Sequence, residues 1–221
     1  MKNTYIIAAV IIVIAVIGLF IKSEKSSAPV ENLTANLPSE VRLTDGTYKV
    51  DTSTSTLRWS GEILGGITET GSVSLKDGRA VVEGGSVKSA DFTFDMQSIK
   101  DDAGKAMLEN HLKSKDFFNS DKYATSTFIL KTFAPTSEEG AKAGRFVVSG
   151  DLTVKGITVP VSFLATVTHE GDGKIRATGS FAINRTDWEI TYKSNSFFSD
   201  LKDGAIRDAV QIDLNIVATK E

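Results

Sequence analysis

After Thr47, apolar and polar residues alternate with a period of two through most of the chain. Val159, Val161, Phe163, Ala165 and Val167 share one face of a run whose other face carries Ser162, Thr166 and Thr168. Ile175, Ala177, Gly179, Phe181 and Ile183 repeat the pattern, as do Val210, Ile212, Leu214 and Ile216 set against Gln211, Asp213 and Asn215. Successive side chains of a strand point to opposite faces, so this period predicts strands with one buried and one solvated side. Shorter runs of the same kind occur at TYKV, TLRWSG, GSVSL, AVVEGG, DFTFDM, TSTFIL and RFVVSGDLTV. Turn signals punctuate them at Asp77-Gly78, Gly84-Gly85, Gly150-Asp151, Lys155-Gly156 and Gly171-Asp172-Gly173. Pro160 has no N–H to donate to a ladder, which places it at a strand start or edge. So many short strands predict an all-β domain, an antiparallel sheet closed into a barrel or folded into a sandwich.

Two segments break the period. DAGKAMLENHL, residues 102–112, sets Met107, Leu108, His111 and Leu112 on one side at helical spacing, followed by Phe117 and Phe118. It predicts a short helix across one barrel end, with Asp101 and Asp102 supplying the N-cap. NRTDWEITYKSNSFFSDLKDGAIRD, residues 184–208, is a long connection between the strand ending at Ile183 and the one beginning near Ala209. Connections that long carry function or structure of their own. Phe197 and Phe198, with Trp188, are expected to cover the barrel mouth, and Arg185 with Asp187 to form a polar latch; the alternative is that the phenylalanines simply plug the barrel.

Before the alternating region, Tyr5 to Ile21 is an uncharged apolar run, about 25 Å long as a helix and thus at the short limit of a membrane span. No small-x-small site follows it closely, so residues 1–22 read as an uncleaved membrane anchor in preference to a signal sequence. Residues 23–46 are polar, contain Pro29 and Pro38, and read as a flexible linker; residues 47–221 form the folded domain. The expected arrangement is a single-pass protein with its C-terminal domain outside the cytoplasm, periplasmic or extracellular.

Composition removes several chemistries. With 25 basic against 28 acidic residues there is no basic field for nucleic acid. The absence of cysteine excludes disulfides, thiol nucleophiles and thiolate-held metals. His111 and His169 are the two histidines, without a His-x-x-x-His or Gly-x-Ser-x-Gly pattern, so no catalytic or metal-ligating residue is assigned and no cofactor is expected. His111 reads as a packing residue and His169 as a solvent-facing hairpin residue. The aromatics are more informative: Trp59, Phe92, Phe94, Phe117, Phe118, Phe128, Phe163, Phe181, Trp188, Phe197 and Phe198 either fill the interior or line it, and a lined interior suits an apolar ligand.

NHLKSKDFFNSDKYATSTF (residues 110–128), GDLTVKGITVPVSF (residues 150–163) and the NRTDW and SFFSDLKDGAIRD stretches together resemble the YceI-like family of lipid- or polyisoprenoid-binding proteins, over about Thr47 to Ala218. The resemblance implies a lipocalin-like antiparallel β-barrel with a short helix, whose interior takes a polyisoprenoid, an isoprenoid quinone or another long-chain lipid. It also implies a bacterial envelope location, a lipid as partner, no enzymatic activity, and leaves a homodimer open. The ligand-binding set expected from pattern and resemblance together is Trp59, Phe92, Phe94, Met107, Leu108, His111, Leu112, Phe117, Phe118, Phe128, Phe163, Phe181, Ile183, Arg185, Trp188, Phe197 and Phe198. The family frequently has Phe-Gly where this chain has Trp188-Glu189, which puts the turn geometry there in question. Two rival readings stand beside the carrier: a surface adhesion or assembly module with a filled core, and an enzyme acting on a small lipid through His111.

Overall fold

The computed structural model describes residues 42–136 and 144–221; the expected anchor and most of the expected linker lie outside them. Among the described residues nine strands form in chain order: β1 Gly46–Val50, β2 Thr56–Ile63, β3 Ile67–Glu83, β4 Ser86–Asp101, β5 Thr125–Pro135, β6 Arg145–Val154, β7 Ile157–Gly171, β8 Lys174–Asn184 and β9 Ile206–Lys220. One helix, α1 (Ala106–Lys113), follows β4, and two short 3-10 helices, Arg185–Trp188 and Ser199–Gly204, occupy the connection before β9.

From β2 onward each strand pairs antiparallel with its chain neighbour, and β9 returns to β2, so the sheet closes into a barrel without a free edge. β1 does not add a ninth position. It pairs with Arg79–Val82 of β3 and Ala218–Lys220 of β9, while β2 pairs with Ile67–Val73 and Ile206–Asn215 of the same two strands. The two short strands lie end to end and complete one stave of eight. The turn joining them is organised by Asp51, which accepts hydrogen bonds from the Ser53 hydroxyl at 2.5 Å and the Ser53 N–H at 2.9 Å. Hydrogen bonds from the Ser53 hydroxyl, then Thr54, hold its carboxyl down to a pKa of about 2.

Two expected turns are strand instead. Asp77-Gly78 lies within β3, where the register against β4 shifts between Leu75 and Asp77; a bulge recruits the residue types a turn uses, so the local signal does not separate them. Gly150-Asp151 lies within β6, where its glycine serves a close approach described below. The remaining turns form as expected, and Lys155 (φ 52°) with Gly156 (φ 76°) makes the two-residue β6–β7 hairpin with both φ positive. Pro160 sits inside β7, opposite Asp151 of β6. Pairing of β7 to β8 begins only at Ala165–Gly179, so β7 is one-sided at the proline.

The barrel has a hairpin end, with the β3–β4 and β7–β8 turns, and a helix end, with α1, the β2–β3 and β6–β7 turns and the connection from Arg185. At the hairpin end Leu43 is buried and its N–H donates to the Gly85 carbonyl at 3.1 Å, so ordered contacts begin before Thr47. At the helix end the expected cap is different. The Asp101 carboxylate accepts from the Lys105 N–H at 3.0 Å, just ahead of α1, whereas Asp102 turns to Arg58 and Thr70.

Candidate functional site

Closing eight staves encloses a cavity of about 330 Å³, within the range of small-molecule sites. Its lining on β9 runs from Ile206 through Val210, Ile212, Leu214 and Ile216 to Ala218. The twelve residue steps from Ile206 to Ala218 cover about 40 Å of strand, or roughly 30 Å of barrel axis at the usual tilt, so the site is a bore. Almost every lining group is hydrocarbon; Glu69, Ser126, Thr178 and Arg185 are the polar exceptions.

The bore stays open because of how its aromatics lie. Phe92, Phe128, Phe163 and Phe181 form a chain of rings round the wall, with centroids 6.3, 6.0 and 4.2 Å apart in turn. Phe128 belongs to β5 and Phe163 to β7, and they approach across β6 because the residue between them is Gly150. A Cβ at Gly150 would stand 2.3 Å from the Phe128 ring. Trp59 is placed in the same way. Its cross-strand neighbour is Gly71, where a Cβ would stand 2.4 Å from the indole and 1.9 Å from the Lys100 carbonyl oxygen. Each missing side chain lets a large ring lie along the wall instead of projecting across the bore.

The helix end is built differently. Asn184 closes β8, accepting from the Thr186 N–H at 3.1 Å and so starting the first 3-10 helix. With three residues per turn, Arg185 and Trp188 fall on one face and both turn inward. Trp188 is 1% exposed, and its indole N–H donates to the Leu152 carbonyl at 3.1 Å. The Arg185 guanidinium, 4% exposed, donates to the carbonyls of Ile190 at 2.7 Å and of Arg207 and Ile206 at 3.1 Å, and pairs with Asp208 at 3.4 Å. Burial lowers its proton affinity and the Asp208 carboxylate opposes that. The latch is thus real but its partner is Asp208; Asp187 points outward from the 3-10 turn and is exposed. Glu189 takes φ 55°, a left-handed conformation that favours glycine, the residue the resemblance leads one to expect at this place.

Thirteen of the expected ligand-binding residues line the bore: Trp59, Phe92, Phe94, Leu108, Leu112, Phe117, Phe118, Phe128, Phe163, Phe181, Ile183, Arg185 and Trp188. Met107, His111, Phe197 and Phe198 do not. Leu108 and Leu112, one turn apart, form the inward face of α1, which leaves Met107 on the far side and 87% exposed. His111 packs beside the bore, edge-on to Tyr192 at 4.7 Å and Phe117 at 5.0 Å, with its Nε2 3.0 Å from Asp116. Phe197 and Phe198 are 60% and 50% exposed: the bridge from Ser194 to Ile206 turns that stretch outward, and Trp188 already occupies the inward place. His169 is exposed, as expected, with its Nε2 donating to the Arg42 carbonyl at 3.0 Å. The sequence reading passed over the aliphatic lining, Leu57, Val73, Met96, Ile99 and the β9 face among it, although the alternation had marked β9. It had no signal for Asp208, which meets Arg185 only when the connection folds back.

An up-and-down antiparallel barrel around an apolar bore, closed at one end by an arginine-held turn, defines the class of protein. Residues 48–218 match the YceI-like domain, and the chain belongs to that family. It is 35% identical over 123 residues to UPF0312 protein plu2095 of Photorhabdus laumondii, covering 50% of this chain and 59% of that one. A UPF0312 protein of Pseudomonas fluorescens is 30% identical over 124 residues, covering 54% and 63%. The chain therefore spans about three-fifths of these relatives. Among solved structures it is similar to Burkholderia cenocepacia BcnA, with a TM-score of 0.61 at 24% identity over 77% of this chain and 99% of that one. A polyisoprenoid binding domain from Saccharophagus degradans, implicated in plant cell wall breakdown, has a TM-score of 0.58 at 14% identity over 79% and 98%. At these identities the likeness establishes the fold.

Proposed function

We propose that the protein is a non-enzymatic carrier or store for a long-chain apolar lipid, of polyisoprenoid or isoprenoid quinone type, held lengthwise in the barrel. The observation that carries this reading is the elongated hydrocarbon-lined bore. Affinity then comes from withdrawing the tail from water: at about 25 cal/mol per Å², some 300 Å² of buried tail contributes roughly 7 kcal/mol before binding costs. The similarity in fold to the polyisoprenoid binding domain from Saccharophagus degradans supports the same ligand class. The apolar segment from Tyr5 to Ile21 supports a location at a membrane, with the barrel on its outer side.

Protein purified without detergent, extracted and analysed by mass spectrometry, is expected to yield one long-chain lipid in stoichiometric amount. Lipid-free protein that also takes up no isoprenoid overturns the reading. The enzymatic alternative loses ground from the position of His111, outside the bore and paired with Asp116. His111→Ala is expected to retain the bound lipid.

A further inference from the structure

Among the described residues, six large apolar side chains are exposed: Met107, Phe197, Ile67, Phe198, Ile129 and Leu64. Scattered singly they would need no explanation. All but Ile129 lie at the helix end, although they come from three elements far apart in the chain. Leu64 and Ile67 stand in and just after the β2–β3 turn, Met107 in the first turn of α1, and Phe197 and Phe198 in the connection before β9.

Hydrogen bonds, an ion pair and a ring contact join these elements into one rim. The Leu64 N–H donates to the carbonyl of Ala205 at 2.8 Å; Ile206, next in the chain, bridges to Ser194, whose carbonyl accepts from the Phe198 N–H at 3.0 Å. On the other side Lys105, just ahead of α1, pairs with Glu69 of β3 at 2.5 Å. His111 of α1 meets Tyr192 of the connection edge-on. Leu108 and Leu112 face the bore, so Met107 leaves α1 on the side away from it.

A cluster of exposed apolar residues marks a contact surface. Shape, charge and the rest of the chain indicate what it meets. Leu64 and Phe197 stand in turns and Met107 near a helix start, so the apolar groups are separate tips. A fluid acyl layer receives such tips one at a time, whereas a protein partner must match the shape of all three elements at once. Charges near the rim are matched, Glu69 with Lys105, Glu62 with Arg207 at 2.9 Å and Asp102 with Arg58, which leaves apolar insertion as the attraction. The same chain carries the uncharged run from Tyr5 to Ile21, and residues 22–41 after it amount to about 65 Å when extended. That exceeds the roughly 30 Å of bore, so a chain that joins the barrel at the hairpin end, where Leu43 packs, leaves the helix end within reach of a membrane surface.

We propose that the helix end is a bilayer-docking face, with Leu64, Ile67, Met107, Phe197 and Phe198 entering the boundary between head groups and acyl chains. This rests on the carrier reading and deepens it by naming the surface from which the cargo is taken. A long apolar tail crossing open water forfeits the burial that holds it on either side, and docking at the end of the bore shortens that passage.

The chain has no cysteine, so one introduced cysteine carries one label. Ser196→Cys, exposed beside Phe197, and Lys174→Cys, exposed at the hairpin end, are each labelled with an environment-sensitive fluorophore in the full chain reconstituted in phosphatidylcholine vesicles. Brominated phosphatidylcholine is expected to remove about half of the emission at position 196, as for a label held within the interface, and none at position 174. Raised salt is expected to change neither. Adding Phe197→Ser and Phe198→Ser to the position-196 chain is expected to abolish the quenching while the lipid recovered by extraction stays the same. Quenching at position 174 instead, at both positions alike or at neither overturns the docking face, as does quenching at 196 that survives the double substitution. A label at 196 that is shielded from water yet not quenched by brominated lipid identifies a second copy or another protein on this face, and overturns it too. The extracted lipid judges the carrier reading separately: a chain that holds lipid without docking overturns this inference alone, and a chain that docks but holds no lipid overturns the carrier reading.

Discussion

The wall of the barrel and its helix end place large aromatic rings by opposite means. On the wall, Trp59 and Phe128 lie aside because Gly71 and Gly150 leave room for them. At the helix end, Trp188 is fixed by a hydrogen bond to Leu152 while Arg185 ties the following connection to three carbonyls and Asp208. The wall keeps space open through an absence of side chain; the end closes it through directional bonds. The difference teaches that aromatic content does not decide whether a barrel is filled or hollow. The positions of a few glycines against those rings decide it.

Three substitutions press on this contrast. The largest effect is expected at the helix end. Arg185→Met leaves the Asp208 carboxylate and three carbonyls without their donor, and a loss of about 4 kcal/mol is expected by denaturant titration. A loss below about 1 kcal/mol breaks the argument that polar bonds hold that end closed. Next comes the wall. Gly71→Ala forces a methyl group into the Lys100 carbonyl and the Trp59 ring, and a loss of about 3 kcal/mol is expected together with reduced lipid capacity. Unchanged stability and capacity in this variant mean that the ring does not depend on the glycine. The smallest effect has the opposite sign. Glu189→Gly relieves a left-handed residue, partly offset by the freer unfolded chain, and a gain of about 0.5 kcal/mol is expected in thermal unfolding.

The strands from β5 onward were legible because alternation is a property of neighbouring residues. The β9 face from Val210 to Ile216 was readable directly, and it lines the bore as an inward face should. Asp77-Gly78 misled because a bulge and a turn draw on the same residues, and only the ladder between β3 and β4 separates them. Met107 misled because helical spacing identifies a broad stripe, and the docking of α1 chooses which part of it faces in. Phe197 and Phe198 misled for a related reason: hydrophobicity marks a residue as able to cap the barrel, but Trp188 sits closer along the chain to the end of β8 and takes the place first.

By itself the sequence determined the strand faces, the hairpins at Gly84-Gly85 and Lys155-Gly156, the family, and the apolar character of the barrel's inward face. Each of these depends on contacts between residues close in the chain or on motifs read in order. Tertiary structure alone decided that the interior is a bore and that Asp208 completes the Arg185 latch. Those outcomes depend on distances across a closed sheet, between residues distant in the chain, and such distances exist only once the last strand has met β2.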